Sequence, residues 1–198
     1  AKNNRPVCFS FKVKENNQGQ VRAFLLKLKT RGLNPKSITI DGLKAVYRAF
    51  KEVWPGSIVQ RCLFHIQKQG LVWCRRYPKS LEAQKLKQIF REIFLVKDHQ
   101  SKENFVAKVL FWERKYGQRI LVNPSTGWVM SDLKRARSML LKALPDMFYF
   151  LDDSNIPKTT NCAESFFSKL KDNLKIHRGL TQPRRLSLIR YIIQLCQK

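Results

Sequence analysis

Ser37-Ile38-Thr39-Ile40-Asp41-Gly42 is the stretch on which the fold turns. Three branched side chains in a short apolar run are the composition of a strand. Asp41 ends that run, Gly42 offers a turn, and Leu43, Val46, Tyr47 and Phe50 then recur at helical spacing. A carboxylate delivered where a strand gives way to a helix points to metal-dependent phosphate chemistry. The same aspartate could instead cap the helix, a role worth about 0.5–2 kcal/mol against alanine. Spacing leaves both readings open.

Working outward, Val7-Cys8-Phe9-Ser10-Phe11-Lys12-Val13 reads as an earlier strand, and Asn16-Asn17-Gln18-Gly19 as a turn. Val21, Phe24, Leu25 and Leu28 mark a helix closed by Gly32 and Pro35. Downstream, Trp54-Pro55-Gly56 ends the next helix, and Ile58-Val59 starts a strand that delivers Gln60-Arg61-Cys62. Ile66, Gly70, Trp73, Cys74 and Tyr77 then share one helical stripe. Strand-helix alternation of this kind predicts an α/β protein with a largely parallel sheet.

From about Pro78 the character changes. Leu86, Ile89, Phe90 and Ile93 mark one helix, Val106, Val109 and Leu110 a second, and Leu133, Ala136 and Leu140 a third, with a looser segment at 117–127. The expected organisation is a core in two parts, residues 1–78 and 146–198, interrupted by an all-α insertion at 79–145. The chain returns through Met147-Phe148-Tyr149-Phe150-Leu151 to two last helices. The first should bury Ala163, Phe166, Phe167, Leu170 and Leu174, the second Ile189, Ile192, Ile193 and Cys196.

A hydrophobic content of 43% with 13 Phe and 4 Trp over 198 residues excludes disorder. The 39 Lys and Arg against 14 Asp and Glu give a formal charge of +25, a field that attracts polyanions. Nucleic acid is the partner this implies. No apolar run approaches the roughly 18 residues that span a bilayer, and Ala1-Lys2-Asn3-Asn4-Arg5 has no signal-peptide core. No membrane partner is expected, and the location is expected to be cytoplasmic. Five cysteines without framework spacing suit reduced thiols. A chain that starts with Ala directly before a strand is expected to be a fragment.

With acids scarce, a second carboxylate stands out. Glu164 opens a helix within Thr159-Thr160-Asn161-Cys162-Ala163-Glu164, where Asn161 and Glu164 have capping-box spacing. The helix's apolar stripe leaves Glu164, Ser168, Lys171 and Lys175 on a different one, so the carboxylate heads a basic ridge. Two carboxylates about 4 Å apart cost roughly 4 kcal/mol at an effective dielectric of 20, unless a cation or proton lies between them. Mg2+ or Mn2+ fits oxygen donors. Cys62 and His65 admit a zinc site lacking two ligands, a Cys-His nucleophile pair, or plain packing at a strand-to-helix junction. Lys169, Lys171, Lys175, His177 and Arg178 are candidates for phosphate contact, with a solvated surface as the ordinary alternative. The tryptophans and most phenylalanines read as core.

These pieces, in this order, resemble the Mutator-like branch of bacterial insertion-sequence transposases. The blocks that carry the likeness are Ile38-Thr39-Ile40-Asp41-Gly42, Gln60-Arg61-Cys62-Leu63-Phe64-His65, Leu133-Lys134-Arg135-Ala136-Arg137, Ile156 to Glu164, and His177-Arg178-Gly179-Leu180. The resemblance implies a ribonuclease-H-like mixed sheet flanked by helices, with an Asp, Asp, Glu triad on two divalent ions. Asp41 looks like the second triad aspartate and Glu164 like the glutamate, both catalytic and metal-ligating. Cys62 and His65 match a Cys-x-x-His signature and, with Asn161, would organise the site. Trp128 lies where the family tends to place a tryptophan. The family's first aspartate has no counterpart here, because no acid precedes Glu15, so turnover is not expected of this chain by itself.

By the same resemblance the protein would cleave DNA strands and join them, acting on double-stranded element ends and target, as a homodimer by analogy and at the bacterial nucleoid. The alternative from another class is a non-catalytic basic nucleic-acid-binding remnant of such a fold. A structure-selective nuclease is a third reading, one that would cut but not join.

Overall fold

The computed structural model describes residues 13–124 and 127–197. The chain runs α1 (Gln18–Thr30), β1 (Ser37–Ile40), α2 (Lys44–Val53), β2 (Ile58–Arg61), α3 (Leu63–Trp73), α4 (Leu81–Glu92), α5 (His99–Val122), α6 (Trp128–Ala143), α7 (Asn161–Ile176) and α8 (Gln182–Gln197). Short 3-10 helices lie at Ile93–Leu95, Leu144–Asp146 and Tyr149–Leu151. The strand expected at 7–13 lies, except for Val13, outside the described residues.

β1 and β2 form where branched residues predict them and pair in parallel, with Ser37 opposite Ile58 and Ile40 opposite Arg61. The Cys62 N–H extends the ladder by donating to the Ile40 carbonyl at 2.7 Å. Asp41 and Cys62 therefore leave the sheet side by side at the carboxyl ends of its strands.

Among the described residues those two strands are the whole sheet. This corrects the expected ribonuclease-H-like mixed sheet flanked by helices: the described chain is mostly helical. Strand-helix rhythm predicts parallel pairing but says nothing of how many strands join. Nor does the aromatic stretch at 147–151 supply another. It winds into a 3-10 turn and sends Met147, Phe148 and Phe150 into a helical core, since aromatic residues favour strands only where a sheet receives them.

Two apolar clusters result. Ile40, Phe50, Val53, Trp54 and Val59 pack beneath the small sheet, with Leu25 and Leu28 of α1 against them. A two-stranded sheet is marginal by itself, so α1 and α2 supply most of its apolar cover. The larger cluster joins α3 to α6 and includes Leu63, Phe90, Val109, Leu140 and Met147. Its helices start on local signals: Ser80 accepts from Ala83 N, and Asp98 forms a capping box with Ser101. Gly70 of α3 lies so near the Phe90 ring that a Cβ there would collide with it. Arg137 of α6 grips Glu113 of α5 in a bidentate pair through one guanidinium edge, with Nε donating to Oε2 at 2.7 Å and Nη2 to Oε1.

Three other expectations change. α5 continues through Gly117 to Val122 where a looser segment was expected. Trp128, read as core with the other tryptophans, is 82% exposed at the start of α6. On α7 only Leu170 is buried; Phe166 and Leu174 are half-buried, while Ala163 and Phe167 face solvent. Periodicity marks an amphipathic face but does not provide a surface to cover it. Among the described residues, no helix is long and apolar enough to cross a membrane.

Candidate functional site

Asp41 follows β1, and its Oδ1 accepts the Leu43 N–H at 3.1 Å. That bond fixes the carboxylate without making it the helix cap, which is Leu43. Gly42 between them adopts φ +102°, and the Arg61 guanidinium lies where its Cβ would be. Asp41 lines a cavity of about 380 Å³ together with Gly42, Leu43, His65, Lys68 and Gln69.

Segment 157–160 is stitched to the strand ends. Thr39 Oγ1 donates to the Pro157 carbonyl at 2.8 Å, and Leu63 N–H to the Lys158 carbonyl at 3.0 Å. These bonds carry Thr160 onto Cys62. The fully buried Cys62 Sγ accepts from Thr160 N at 3.3 Å and lies 3.4 Å from Thr160 Oγ1 and 3.3 Å from His65 Nδ1. His65 Nδ1 is in turn 3.6 Å from Glu164 Oε1, to which the Thr160 hydroxyl donates at 2.9 Å. The cysteine, histidine and glutamate that sequence singled out thus meet, and His65 faces both Glu164 and the Asp41 cavity.

Asn161 does not join them. The helix cap is Thr160, without a side-chain capping bond, and Asn161 opens α7 exposed to solvent. The expected capping box is absent, and Glu164 is held by Thr160 and His65. Thr160 itself was missed, although the block Thr159-Thr160-Asn161 contained it.

A second, larger cleft of about 780 Å³ adjoins the first, sharing Gly42 and Met139 with it. Its cations are Lys44, Arg48, Arg61, Lys134, Arg135 and Lys142, and its acid is Asp146. On α6, residues 131, 134, 135, 138, 139 and 142 recur at helical spacing, so one face of that helix forms a wall. Arg61 is the deepest cation. Desolvation lowers its pKa against the pull of Asp146 and Asp41, and its Nε is buried without a hydrogen-bond partner. Desolvation likewise raises the Asp146 carboxyl above its ordinary range, outweighing hydrogen bonds from Tyr47 and Tyr149 and the Arg61 charge. Gln60 holds this arrangement by donating to the Met147 carbonyl at 2.6 Å from its buried place on β2. Sequence reasoning missed Arg61 and Asp146; only the general scarcity of acids could have flagged the aspartate.

Lys169, Lys171, Lys175, His177 and Arg178 are all solvent-exposed along α7 and just beyond it. Lys175 is engaged with Asp172 at 2.9 Å, an exposed pair of little energetic weight. None of these five residues lines the cleft.

The chain is 25% identical over 181 residues to the transposase for insertion sequence element IS905 of Lactococcus lactis subsp. lactis (strain IL1403), covering 90% of this chain and 41% of that protein. It thus spans about two-fifths of the relative's length. No solved structure matches it. The family model described as "Transposase, Mutator family" matches residues 7–198, and the chain belongs to that family of transposases.

Proposed function

We propose that this chain is the part of a DNA transposase that grips the DNA backbone in the α6 cleft and presents Asp41 and Glu164 for divalent-metal-dependent strand cleavage and strand transfer. One observation carries the reading: His65 lines the Asp41 cavity and lies 3.6 Å from Glu164 Oε1, so residues far apart in sequence converge at the strand ends. The carboxylate oxygens suit Mg2+ or Mn2+. Two such ions would supply activation of water or a 3′-hydroxyl and stabilisation of the leaving oxygen in an in-line displacement at phosphorus.

The protein's own contribution is orientation. The Leu43 amide fixes one oxygen of Asp41, and Thr160 and His65 fix one oxygen of Glu164. The adjoining cations would draw in the phosphodiester backbone and hold a strand beside the carboxylates. Arg61, pressed against Gly42 next to Asp41, links the cleft to the corner.

Because this chain spans only about two-fifths of its relative, the test is a Mn2+-dependent cleavage and joining assay of the full-length transposase on a labelled duplex carrying the element's ends, with binding measured alongside. Asp41→Asn should abolish cleavage, a loss of at least about a thousandfold, and leave DNA affinity within about threefold. Equal loss of both activities, or cleavage that persists, would reject the catalytic assignment. Binding without cleavage by the unsubstituted protein would support the alternative, a basic nucleic-acid-binding module.

A further inference from the structure

Cys62, His65 and Glu164 differ in kind from the oxygen-only donor set used above. They offer a thiol sulfur, an imidazole nitrogen and a carboxylate oxygen, with all three donor atoms within 4.8 Å of one another. We propose that they form a binding site for a single thiophilic divalent cation of the zinc class, with its fourth position left to a solvent oxygen.

Two of the three donor separations match those of a tetrahedral site. Tetrahedral zinc, with its sulfur at about 2.3 Å and nitrogen or oxygen at about 2.0–2.1 Å, sets its ligands roughly 3.3–3.6 Å apart. Sγ to Nδ1 is 3.3 Å and Nδ1 to Oε1 is 3.6 Å. The sulfur also has the surroundings of a metal-bound thiolate. It is fully buried and accepts the backbone N–H of Thr160 at 3.3 Å, the kind of outer hydrogen bond that orients a metal-binding sulfur.

The donors are also preorganised. Cys62 follows β2, His65 lies in the first turn of α3 and Glu164 in the first turn of α7. The Thr39–Pro157 and Leu63–Lys158 bonds lock those elements together. An ion can reach them, because the His65 and Glu164 side chains are 35% and 44% exposed. From spacing alone, Cys62 and His65 were two ligands short of a zinc site; folding supplies Glu164 as the third. Both contacts of Glu164 use Oε1, so its other oxygen remains for the hard cation proposed with Asp41. Binding requires the thiolate, so the thiol proton passes to solvent as the sulfur–metal bond forms.

The test is titration of the chain with Co2+ under reducing conditions, followed by absorption. One equivalent should give a thiolate-to-cobalt charge-transfer band with intense tetrahedral ligand-field bands, and Zn2+ should bleach both. Cys62→Ser should remove the charge-transfer band, and His65→Gln should weaken binding by at least about tenfold. Cys162→Ser, which alters an exposed thiol on α7, should leave the spectrum unchanged. If the buried Cys62→Ser fails to fold, the partly exposed His65→Gln decides. A spectrum lacking the thiolate band, or one that survives Cys62→Ser and vanishes with Cys162→Ser, would overturn the site. Asp41→Asn should leave Co2+ binding intact while abolishing strand cleavage, so failure of this site and failure of the transposase reading give different results.

Discussion

Asp146 carries a charge that its surroundings tolerate poorly. Desolvation raises its pKa although Tyr47, Tyr149, Arg61 and Lys51 all favour the ionised form. Below that raised pKa the carboxyl is neutral and the cleft loses its acid, so affinity for a polyanion should rise as pH falls through it, before ordinary carboxylates titrate. Asp146→Asn should bind DNA about fivefold more tightly at neutral pH, about 1 kcal/mol, and should flatten that acid-side rise. Fluorescence anisotropy across pH 4–8 (about the carboxylate and histidine range) measures both; an unchanged pH profile would place Asp146 outside the binding surface. The placement of Asp41 at a strand end and Glu164 at a helix start was legible because carboxylates there are conspicuous in so basic a chain. Thr160 and Asp146 were not, because each gains its role from partners distant in sequence, Cys62 and Arg61.

At the scale of elements, α6 should matter more for DNA than α7. Arg135 and Lys142 stand on the face of α6 that lines the cleft, whereas the α7 ridge projects into solvent. Replacing both α6 residues by alanine should reduce the slope of log affinity against log salt by about 2, at about 0.9 per phosphate released. Lys169→Ala with Lys171→Ala should reduce it by less than 1; the reverse order would make the ridge the principal contact. Packing offers a separate check. Gly70→Ala would drive a methyl group into the Phe90 ring and should cost about 1–3 kcal/mol, read as a lowered denaturation midpoint. No loss would mean that α3 and α4 have room to separate. The helices were legible from apolar spacing, whereas the caps Ser80 and Asp98 that start α4 and α5 emerged only from the structure. Burial on α7 was not, because Phe167 sits on a well-formed apolar stripe and is still 55% exposed.

For the whole molecule, Ile38, Thr39, Ile40, Ile58 and Val59 predict two strands correctly, but strand-helix rhythm does not set the number of strands in a sheet, and the described chain continues into helices around Phe90 and Leu140. What survives that correction is the corner at the strand ends, where parallel register sets Asp41 beside Cys62 and segment 157–160 brings in Glu164. The central claim is that the two carboxylates serve one cation-binding corner. A double-mutant cycle on Mn2+ affinity, followed by electron paramagnetic resonance, tests it most directly. Asp41→Asn and Glu164→Gln should each weaken Mn2+ binding by about tenfold or more, and the double variant should bind scarcely worse than the weaker single one. Losses that add in full would mean that the two side chains hold separate ions, and would contradict the shared corner.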